Sequence, residues 1–323
     1  MAKHTTNSKQ GYDLIGDVHG CAHSLESLLL KMDYQHSKGC YRHKSRKVIF
    51  VGDIVDRGPR IREALHIVKD MVDREQAEIV LGNHEYNAMS YCTEGRPGSG
   101  KQYLREHNAR HHRLIRETLD QFESYHDEWL EFLAWFHQIP LFIEKENFRI
   151  VHACWDMDAI SRLKSLSSDN CLDVDFLHAS SVEGSFEGRL VDKLTRGTVL
   201  ELPNGESILG RDGLVRHMFR TKFWSDDPQI YNDVVFQPDP LPSDLANRSL
   251  SAIERQQLLS YPVTELPVFV GHYWMDSEPK PIQDNIVCLD YSAVKYGKLL
   301  AYRFDGENVL SREKFIWVDV NRT

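Results

Sequence analysis

The feature that most constrains the fold is a series of short apolar runs, the first five of which end at or beside an aspartate, an asparagine or a histidine. The runs are YDLIGD at 12–17, KVIFVGD at 47–53, AEIVLGN at 77–83, FRIVHA at 148–153, PVFVGH at 267–272, NIVCLD at 285–290 and LLAYRF at 299–304. Runs of this length, rich in valine and isoleucine, are typical of strands buried in a sheet. The chain is therefore predicted to adopt an α/β fold.

Helical patterns separate the first three runs. SLESLLLKM follows Gly20, and IREALHIVKDMV begins at Ile61 with apolar residues three and four positions apart. The strand ends at Asp17, Asp53 and Asn83 are 36 and 30 positions apart, close to the size of a strand, helix and strand unit, roughly 30 residues. The sequence therefore predicts a parallel sheet at the start of the chain.

The rest of the chain is predicted to form insertions in one domain rather than a second domain. An apolar stripe on the helical pattern at 102–137 is formed by Trp129, Phe132, Leu133 and Phe136. The stretches 160–210 and 226–250 are rich in small, polar or proline residues and are interpreted as long loops or insertions. We expect a single domain over 1–323, with a loose tail at about 1–10 and insertions at about 95–137 and 160–250.

Composition and charge exclude several classes of partner. A formal net charge of −9 and a pI near 6.0 oppose sequence-independent binding to a nucleic-acid polymer, which needs a surplus of cations. The six cysteines form no CxxC pair, so neither a zinc ribbon nor a redox motif is indicated. The polar amino terminus and the lack of a long apolar run give no sign of a membrane segment, and we expect a cytoplasmic protein. The sequence does not indicate an oligomeric state.

Polar side chains gather at the predicted strand ends. They are Asp17, His19, Asp53, Asp56, Arg57, Asn83, His84, His152 and His272. In open α/β sheets, ligands bind beyond the carboxyl ends of strands, where such side chains meet. A mixed set of oxygen and imidazole donors suits divalent manganese, iron or zinc and is too rich in nitrogen for calcium. Two metal ions fit the number of donors better than one.

The motifs GDVHG, GDIVDRGP, GNHE, VHACW and VGHYW resemble, in this order, those of the calcineurin-like metallophosphoesterases. This superfamily includes serine/threonine protein phosphatases and symmetrical dinucleoside tetraphosphatases, and the tail from Asn285 resembles the closing strands of the bacterial tetraphosphatases. The resemblance implies two mixed β-sheets packed face to face and flanked by helices, an α/β/β/α sandwich.

The resemblance also implies roles for individual residues. Asp17, His19 and Asp53 would hold the first ion, and the second would be held by Asp53, Asn83, His152 and His272, with Asp53 bridging. Some members have a histidine where this chain has Trp274, so water is expected to complete the first ion's coordination. A hydroxide activated by both ions would attack phosphorus, and His84 would protonate the leaving group.

Three further roles concern the side chains around the reacting phosphoryl group. Asp56 would hydrogen-bond His84 and keep it oriented, and Arg57 would bind phosphoryl oxygens with its planar fork. Glu85 is expected to support the site rather than to catalyse.

Additional substrate contacts are harder to place. Arg216, Arg220 and Lys222 alternate with other residues, which predicts one strand with cations on one face. That face either lines an anionic pocket or is an ordinary solvated surface. FWSDDP resembles a phosphatase motif, but the arginine that should follow it is missing, so Arg211, Arg216 or Arg220 is expected to take its place.

Five other residues are not expected to take part in catalysis directly. His107, His111 and His112 are interpreted as a solvated helix face because no carboxylate motif accompanies them. Cys154 is interpreted as a small buried hydrophobic residue, and Asp290 as a partner of a ligating histidine.

These observations predict a metal-dependent enzyme that hydrolyses phosphate monoesters, either of a phosphoprotein or of a small molecule. The alternatives are a symmetrical dinucleoside tetraphosphate hydrolase and a non-catalytic metal-binding scaffold. The intact Asp56, Arg57 and His84 argue against the scaffold, which has no use for a proton donor.

Overall fold

The computed structural model describes residues 10–166, 169–209, 215–236, 241–295 and 297–320. Its strands are β1 (Gly11–Ile15), β2 (Gln35–Ser37), β3 (Cys40–Arg42), β4 (Arg46–Phe50), β5 (Ala77–Ile79), β6 (Phe142–Glu144), β7 (Arg149–Val151), β8 (Val199–Glu201), β9 (Ile208–Leu209), β10 (Val215–Arg216), β11 (Met218–Thr221), β12 (Val235–Phe236), β13 (Val268–Val270), β14 (Ile286–Cys288), β15 (Asp290–Tyr291), β16 (Lys298–Phe304) and β17 (Phe315–Asp319). Its helices are α1 (Ala22–Lys31), α2 (Ile61–Asp73), α3 (Asn83–Cys92), α4 (Ala109–Phe122), α5 (His126–Phe136), α6 (Met157–Leu166), α7 (Val174–Ser180), α8 (Phe186–Arg196), α9 (Tyr231–Val234), α10 (Ser243–Ala246) and α11 (Ala252–Gln257). The predicted tail at 1–10 lies outside the described residues except for Gln10.

The first large sheet begins with the parallel strands that the sequence predicts. β1, β4 and β5 lie side by side, with Asp13 opposite Val48 and Val48 opposite Ala77. On the other side of β1, β16 pairs antiparallel with it and also with β15 and β17. The parallel start of the chain is confirmed, and the later strands make the sheet mixed.

The second large sheet has the order β14, β13, β7, β6. β13 runs parallel to both of its neighbours, whereas β6 is antiparallel to β7. It is therefore also a mixed sheet, built from the runs predicted around 148–153, 267–272 and 285–290.

The two sheets pack face to face because their strands alternate apolar side chains between the two faces. The layer between the sheets contains Leu14, Ile49, Val51, Phe148, Ile150, Phe269, Val287, Leu300 and Tyr302. Their neighbours Ile15, Phe50, Val151 and Val270 belong instead to the core that contains the helices. The predicted sandwich of two sheets between helical layers is confirmed.

Helices α1 and α2 cover the first sheet with the apolar faces read from the sequence. On α2, Ile61, Leu65 and Val68 are buried in that core, and the half-buried Val72 packs against it. None of the helices among the described residues is both long and apolar enough to cross a membrane.

The stretch from 160 to 250 contains more regular structure than its composition suggests, so the long-loop interpretation is wrong for much of it. Helices α6, α7 and α8 occupy its first half. A small sheet of order β12, β11, β8 follows, with its own core of Leu200, Leu202, Phe219, Tyr231, Val234, Val235, Leu245 and Leu250. We call these residues and strands the small-sheet module.

The prediction of one continuous strand through Arg216 and Lys222 is also wrong. β10 pairs with β9, whereas β11 pairs with β8 and β12. The chain changes partners at His217, so Arg216 and Arg220 belong to different sheets. A simple alternation of residues does not reveal such a change of partner.

Candidate metal centre

The six predicted metal ligands are buried at one edge of the two sheets. Each follows a strand or begins the helix after it, and they are Asp17, His19, Asp53, Asn83, His152 and His272. The carboxylate of Asp53 lies at their centre, because its Oδ2 is 3.6 Å from Nε2 of His19 and 3.3 Å from Nε2 of His152. Asn83 Oδ1 is 3.2 Å from Nε2 of His152, and the Asp17 carboxylate accepts a hydrogen bond from the His272 amide at 3.1 Å.

Donor atoms around Asp53 fall into two groups, each with all its ligand atoms within 4.8 Å of one another. Asp53 belongs to both, with His19 and His84 in one and with His152 and His272 in the other. A carboxylate shared by two clusters of imidazoles is the arrangement expected of a ligand that bridges two ions.

Two of the imidazoles are held in a fixed orientation by backbone carbonyls. His19 Nδ1 donates to the Val55 carbonyl at 2.8 Å, and His152 Nδ1 donates to the Val51 carbonyl at 2.7 Å. Because a carbonyl can only accept, Nδ1 carries the hydrogen in both rings, and Nε2 is directed at Asp53. Such an outer hydrogen bond is the usual way in which a metal-ligating histidine is oriented.

The third imidazole provides a direct test of whether the site fits a metal. His272 Nε2 is buried and has no hydrogen-bond partner among the described residues. Burial, followed by the charge of Arg220, lowers the pKa of His272 well below its usual range, so the ring is neutral. A buried ring nitrogen without a partner costs free energy unless a ligand binds it. The donor set therefore fits divalent metal ions.

Burial and neighbouring charges shift the pKa values of three side chains at the centre. Burial, followed by the nearby Asp290, raises the pKa of Asp17 well above its usual range. Burial opposes the charged form of His152, but the charge of Asp53 and the hydrogen bond to it raise the pKa of His152 to about 10. Burial would also raise the pKa of Asp53, but the surrounding histidines, His152 first, lower it well below its usual range. A proton on His152 thus occupies the position that a cation would take.

The backbone at this edge adopts an unfavourable conformation at five site residues. The φ angles of His19, Asp53, Asp56, Arg57 and His272 are 43°, 55°, 68°, 69° and 63°. A residue other than glycine in the left-handed region costs on the order of 1–3 kcal/mol and persists only where its surroundings enforce it. These turns point consecutive side chains in different directions, which brings the predicted ligands and the predicted catalytic groups into one small space.

Glu85 is one element that enforces these turns. Its fully buried carboxylate accepts hydrogen bonds from the amides of Asp53 at 2.9 Å, Ile54 at 2.7 Å, Val55 at 3.2 Å and Gly82 at 3.1 Å. One side chain therefore fixes the loop after β4 against the start of α3. Sequence reasoning gave Glu85 a supporting role without naming its partners.

Two glycines provide room for the carboxylates. A Cβ atom at Gly82 would lie 2.2 Å from Asp53 Oδ1, and one at Gly271 would lie 2.1 Å from Asp17 Oδ1. Both distances are too short for any side chain, so glycine is required at both positions by the close approach of a carboxylate.

His84 is held beside the predicted ligands by a chain of hydrogen bonds. Its Nδ1 donates to Asp56 Oδ2 at 2.6 Å, and the Thr118 hydroxyl donates to Asp56 Oδ1 at 2.5 Å. The amide of His84 also donates to Asp53 Oδ1 at 2.9 Å. Thr118 lies on α4, 62 positions after Asp56, and nothing in the local sequence distinguishes it from other helix residues.

Arg57 connects the two sides of the centre. Its Nη1 is 3.2 Å from Nε2 of His19, and its Nη2 is 2.9 Å from Nε2 of His84. The guanidinium therefore lies where it can contact a group bound between these two imidazoles.

Of the other arginines with an expected substrate role, Arg220 lies beside His272 at the candidate metal centre. Its Nη1 donates to the carbonyl of His272 at 3.2 Å, and its guanidinium lies 5.6 Å from the centre of the Tyr273 ring. Arg216 is half-buried on β10, and Arg211 lies outside the described residues.

The interpretation of His107 is corrected by its contacts. His107 precedes α4 and stacks between the rings of Tyr91 and Tyr103, with ring centres 3.8 and 3.9 Å apart, so it is not part of a solvated helix face. Aromatic residues that are distant in sequence form this stack, which helical spacing does not reveal.

The surroundings of Asp290 and Cys154 bear on the roles expected of them. Asp290 accepts the Ser292 amide at 2.9 Å rather than pairing with a histidine. Burial raises the pKa of Cys154, which agrees with an inert buried thiol.

Similarity to known proteins identifies the family to which this chain belongs. A family model described as calcineurin-like phosphoesterase matches residues 13–249. The asymmetrical bis(5'-nucleosyl)-tetraphosphatase PrpE of Oceanobacillus iheyensis is 32% identical over 142 residues, which cover 44% of this chain and 54% of that protein. The chain thus spans about half the length of that relative. The symmetrical bis(5'-nucleosyl)-tetraphosphatase of Vibrio campbellii is 25% identical over 309 residues, which cover 93% of this chain and 97% of that protein.

Among solved structures, a cold-active protein-tyrosine phosphatase of a psychrophilic Shewanella species aligns with a TM-score of 0.49 at 15% identity, covering 97% of this chain and 80% of that one. A serine/threonine phosphatase from Saccharomyces cerevisiae aligns with a TM-score of 0.49 at 13% identity, covering 99% and 82% of the two chains.

Proposed function

Because this chain belongs to the calcineurin-like phosphoesterase family, and is therefore a hydrolase, we propose that it hydrolyses phosphate monoesters at a centre of two divalent metal ions. The observation that carries the proposal is the position of Asp53, whose carboxylate is shared by two clusters of buried donor atoms. The substrate would be a phosphoprotein or a small phosphoester.

The chain's own residues divide into two sets of ligands. Asp17, His19 and Asp53 would hold one ion, and Asp53, Asn83, His152 and His272 the other. Oxygen and imidazole donors together favour manganese, iron or zinc. When bound, two such ions supply a nucleophile at neutral pH by lowering the pKa of water, and they stabilise charge on the phosphoryl group.

Arg57 would position the phosphoryl group. Its two terminal nitrogens lie against His19 and His84, so a phosphoryl oxygen between these rings would take over both hydrogen bonds. A planar guanidinium binds such oxygens in pairs. The exchange would also release Nε2 of His84 from its contact with Arg57.

Because Nε2 of His84 accepts from Arg57 in the structure, it would take up a proton from water once Arg57 turns to the phosphoryl oxygen, and would then give that proton to the leaving oxygen. Asp56 holds the hydrogen on Nδ1, so Nε2 is the nitrogen that exchanges a proton with substrate. Thr118 fixes Asp56 in turn, which keeps the imidazole pointed at the centre. The carboxylate charge of Asp56 also stabilises the positively charged ring before transfer.

A metal analysis combined with a substrate panel tests the proposal. We expect about two ions per chain and turnover of p-nitrophenyl phosphate and a phosphopeptide after loading with manganese, iron or zinc. Protein that binds no more than one ion and cleaves no phosphorus compound would contradict the proposal. Protein that binds metal but turns over none of the substrates would instead favour the non-catalytic scaffold.

A second candidate is hydrolysis of symmetrical dinucleoside tetraphosphates. The relative of that name from Vibrio campbellii matches nearly the whole chain, which favours this candidate despite the low identity. Diadenosine tetraphosphate belongs in the same panel. Turnover of the dinucleotide alone would replace the monoester proposal with this one.

A further inference from the structure

Two arginines, Arg105 and Arg196, contact the helix that begins with the predicted ligand Asn83. The Arg196 guanidinium donates to the side-chain oxygen of Asn87 at 2.5 Å, and the amide of Arg105 donates to the carbonyl of Ser90 at 2.9 Å. Asn83, Asn87 and Ser90 are four and three positions apart on α3, so they lie on one face of the helix. Both arginines are therefore attached to the face of α3 that begins at the candidate metal centre.

The chain brings these arginines to α3 from two different elements. After α3 ends at Cys92, the chain forms a loop in which Glu94 pairs with Tyr103, and this loop returns Arg105 to the helix. Arg196 is the last residue of α8, and its guanidinium lies 5.2 Å from the centre of the Tyr86 ring on α3. The loop and the end of α8 thus converge on α3.

The charge of Arg105 has no partner in the part of the chain that the structure describes. Arg105 is half-buried, and no described group accepts a hydrogen bond from its guanidinium or forms an ion pair with it. Burial, followed by the charge of Arg196, lowers the pKa of Arg105 to about 10, so the side chain stays charged at neutral pH beside a second cation. A half-buried cation next to a like charge costs free energy that a bound anion recovers.

The neighbouring charges favour an anion with a single charge. Arg196 Nη1 already pairs with Asp192, whose side chain is 61% exposed, and Arg110 is exposed on α4, where solvent screens its charge. One unpaired guanidinium, that of Arg105, therefore remains in the half-buried part of this surface. A carboxylate matches that charge better than a phosphate group, which carries about −2.

The separation from the metal centre suits a short segment of peptide. An α-helix rises about 1.5 Å per residue, so Asn87 lies about 6 Å and Ser90 about 10 Å from Asn83 along the axis of α3. An extended peptide spans about 3.3–3.6 Å per residue. A peptide whose phosphorylated residue lies at the metal centre thus reaches the two arginines within two or three residues.

We propose that Arg105 and Arg196 bind a carboxylate two or three residues from the phosphorylated residue of a protein substrate, so that the enzyme selects phosphopeptides with acidic neighbours. The inference rests on the proposed function and narrows its substrate to phosphoproteins. Planar guanidinium groups form paired hydrogen bonds with carboxylates. The net charge of −9 disfavours acidic peptides in general, so a preference for them requires local cations.

The test compares two peptides that differ only in this carboxylate. In both, a phosphonate with a methylene group in place of the ester oxygen replaces phosphoserine and prevents hydrolysis, and the second and third residues on each side are either glutamate or glutamine. Binding to the metal-loaded, full chain is measured by calorimetry. We expect the glutamate peptide to bind at least about fivefold more tightly. Arg105→Gln should reduce this preference to less than about twofold.

Arg74→Gln is the matched control. Arg74 is exposed and pairs with Asp70, and it follows α2, which leads from the loop of Asp53 back to the start of β5 at the opposite edge of the first sheet. This variant loses one positive charge and should keep the full preference for glutamate. If circular dichroism shows that Arg105→Gln does not fold, Arg196→Gln replaces it and should lose the preference as well.

Equal affinity for the two peptides in the unmodified protein would overturn the proposal, as would a preference that survives loss of the arginine in a folded variant. Turnover of p-nitrophenyl phosphate and of a phosphoserine peptide by the same preparation tests the proposed function separately. Turnover without a preference for glutamate refutes the carboxylate site alone. A preference for glutamate without any turnover refutes the phosphoesterase and leaves a binding site for acidic peptides.

Discussion

Replacing His84 with asparagine should remove the proton donor and leave the rest of the centre in place. The asparagine amide can still donate to Asp56, as Nδ1 does at 2.6 Å in the structure. The backbone amide at this position continues to donate to Asp53 Oδ1. Only the Nε2 function, which faces Arg57 and the site, is lost.

The size of the effect follows from the chemistry of the leaving group. Loss of general acid catalysis typically slows a reaction by about 10²–10⁴-fold, which corresponds to roughly 3–5 kcal/mol in the barrier. A serine alkoxide needs a proton as it leaves, so a phosphoserine peptide should show this full loss. The p-nitrophenolate ion is stable without a proton, so p-nitrophenyl phosphate should lose only about tenfold.

The assay measures kcat for both substrates alongside the metal content of each preparation. His66→Asn is a matched control, because His66 also pairs with a carboxylate, at 2.6 Å from Glu128, but lies exposed on α2. The control should keep the kcat of the unmodified protein with both substrates. Both variants should keep the metal content of the unmodified protein.

An equal loss with both substrates would refute the reasoning, since it would assign His84 to binding or positioning the phosphoryl group rather than to protonation. Unchanged kcat with full metal content would remove His84 from the mechanism altogether.

Three further predictions concern the metal site. Gly82→Ala should displace Asp53, whose Oδ1 would lie 2.2 Å from the new Cβ, and so lower the metal content measured by mass spectrometry. Gly98→Ala strains the backbone, because Gly98 has a φ of 83°, but it brings no atom within 4 Å of the new Cβ and should keep the metal content. Full metal content in both variants would contradict the steric argument. Glu85→Gln, which turns one acceptor oxygen into a donor toward amides, should lower the free energy of unfolding by about 1–3 kcal/mol in urea titrations, and an unchanged midpoint would show that the carboxylate is dispensable. The pKa of His152 is raised from 6.5 to about 10 in the metal-free protein, so the stability its proton contributes is complete below 6.5 and lost toward pH 10. A metal ion must displace this proton, so the affinity for metal should rise with pH up to about 10. Calorimetry of metal binding in buffers of different ionisation enthalpy should detect proton release at pH 7. Metal binding without proton release would contradict the raised pKa of His152.

The parallel strands could be predicted because short, local stretches of the sequence indicate them. The runs ending near Asp17, Asp53 and Asn83 combine strand composition with helical spacing between them, and parallel order follows from that alternation. The gathering of Asp17, Asp53 and Asn83 could be predicted for the same reason, since strand ends in such sheets meet at one edge.

The remaining features depend on contacts between distant segments. Thr118 can bind Asp56 only because α4 packs against the loop that contains Asp56. The strand is interrupted at His217 because β10 pairs with β9, whereas β11 pairs with β8. In both cases the deciding partner lies elsewhere in the chain, so local pattern carries no signal of it.

The small-sheet module has an implication for how this protein could diversify. Its core is separate from that of the two large sheets, yet its strand β11 sends Arg220 to the carbonyl of His272. Substitutions that reshape the module would therefore move a cation beside His272 while leaving in place the hydrogen bonds that Glu85 makes to the loop after β4. New substrate preferences could arise there through Arg220 while the loop that carries Asp53 keeps its conformation.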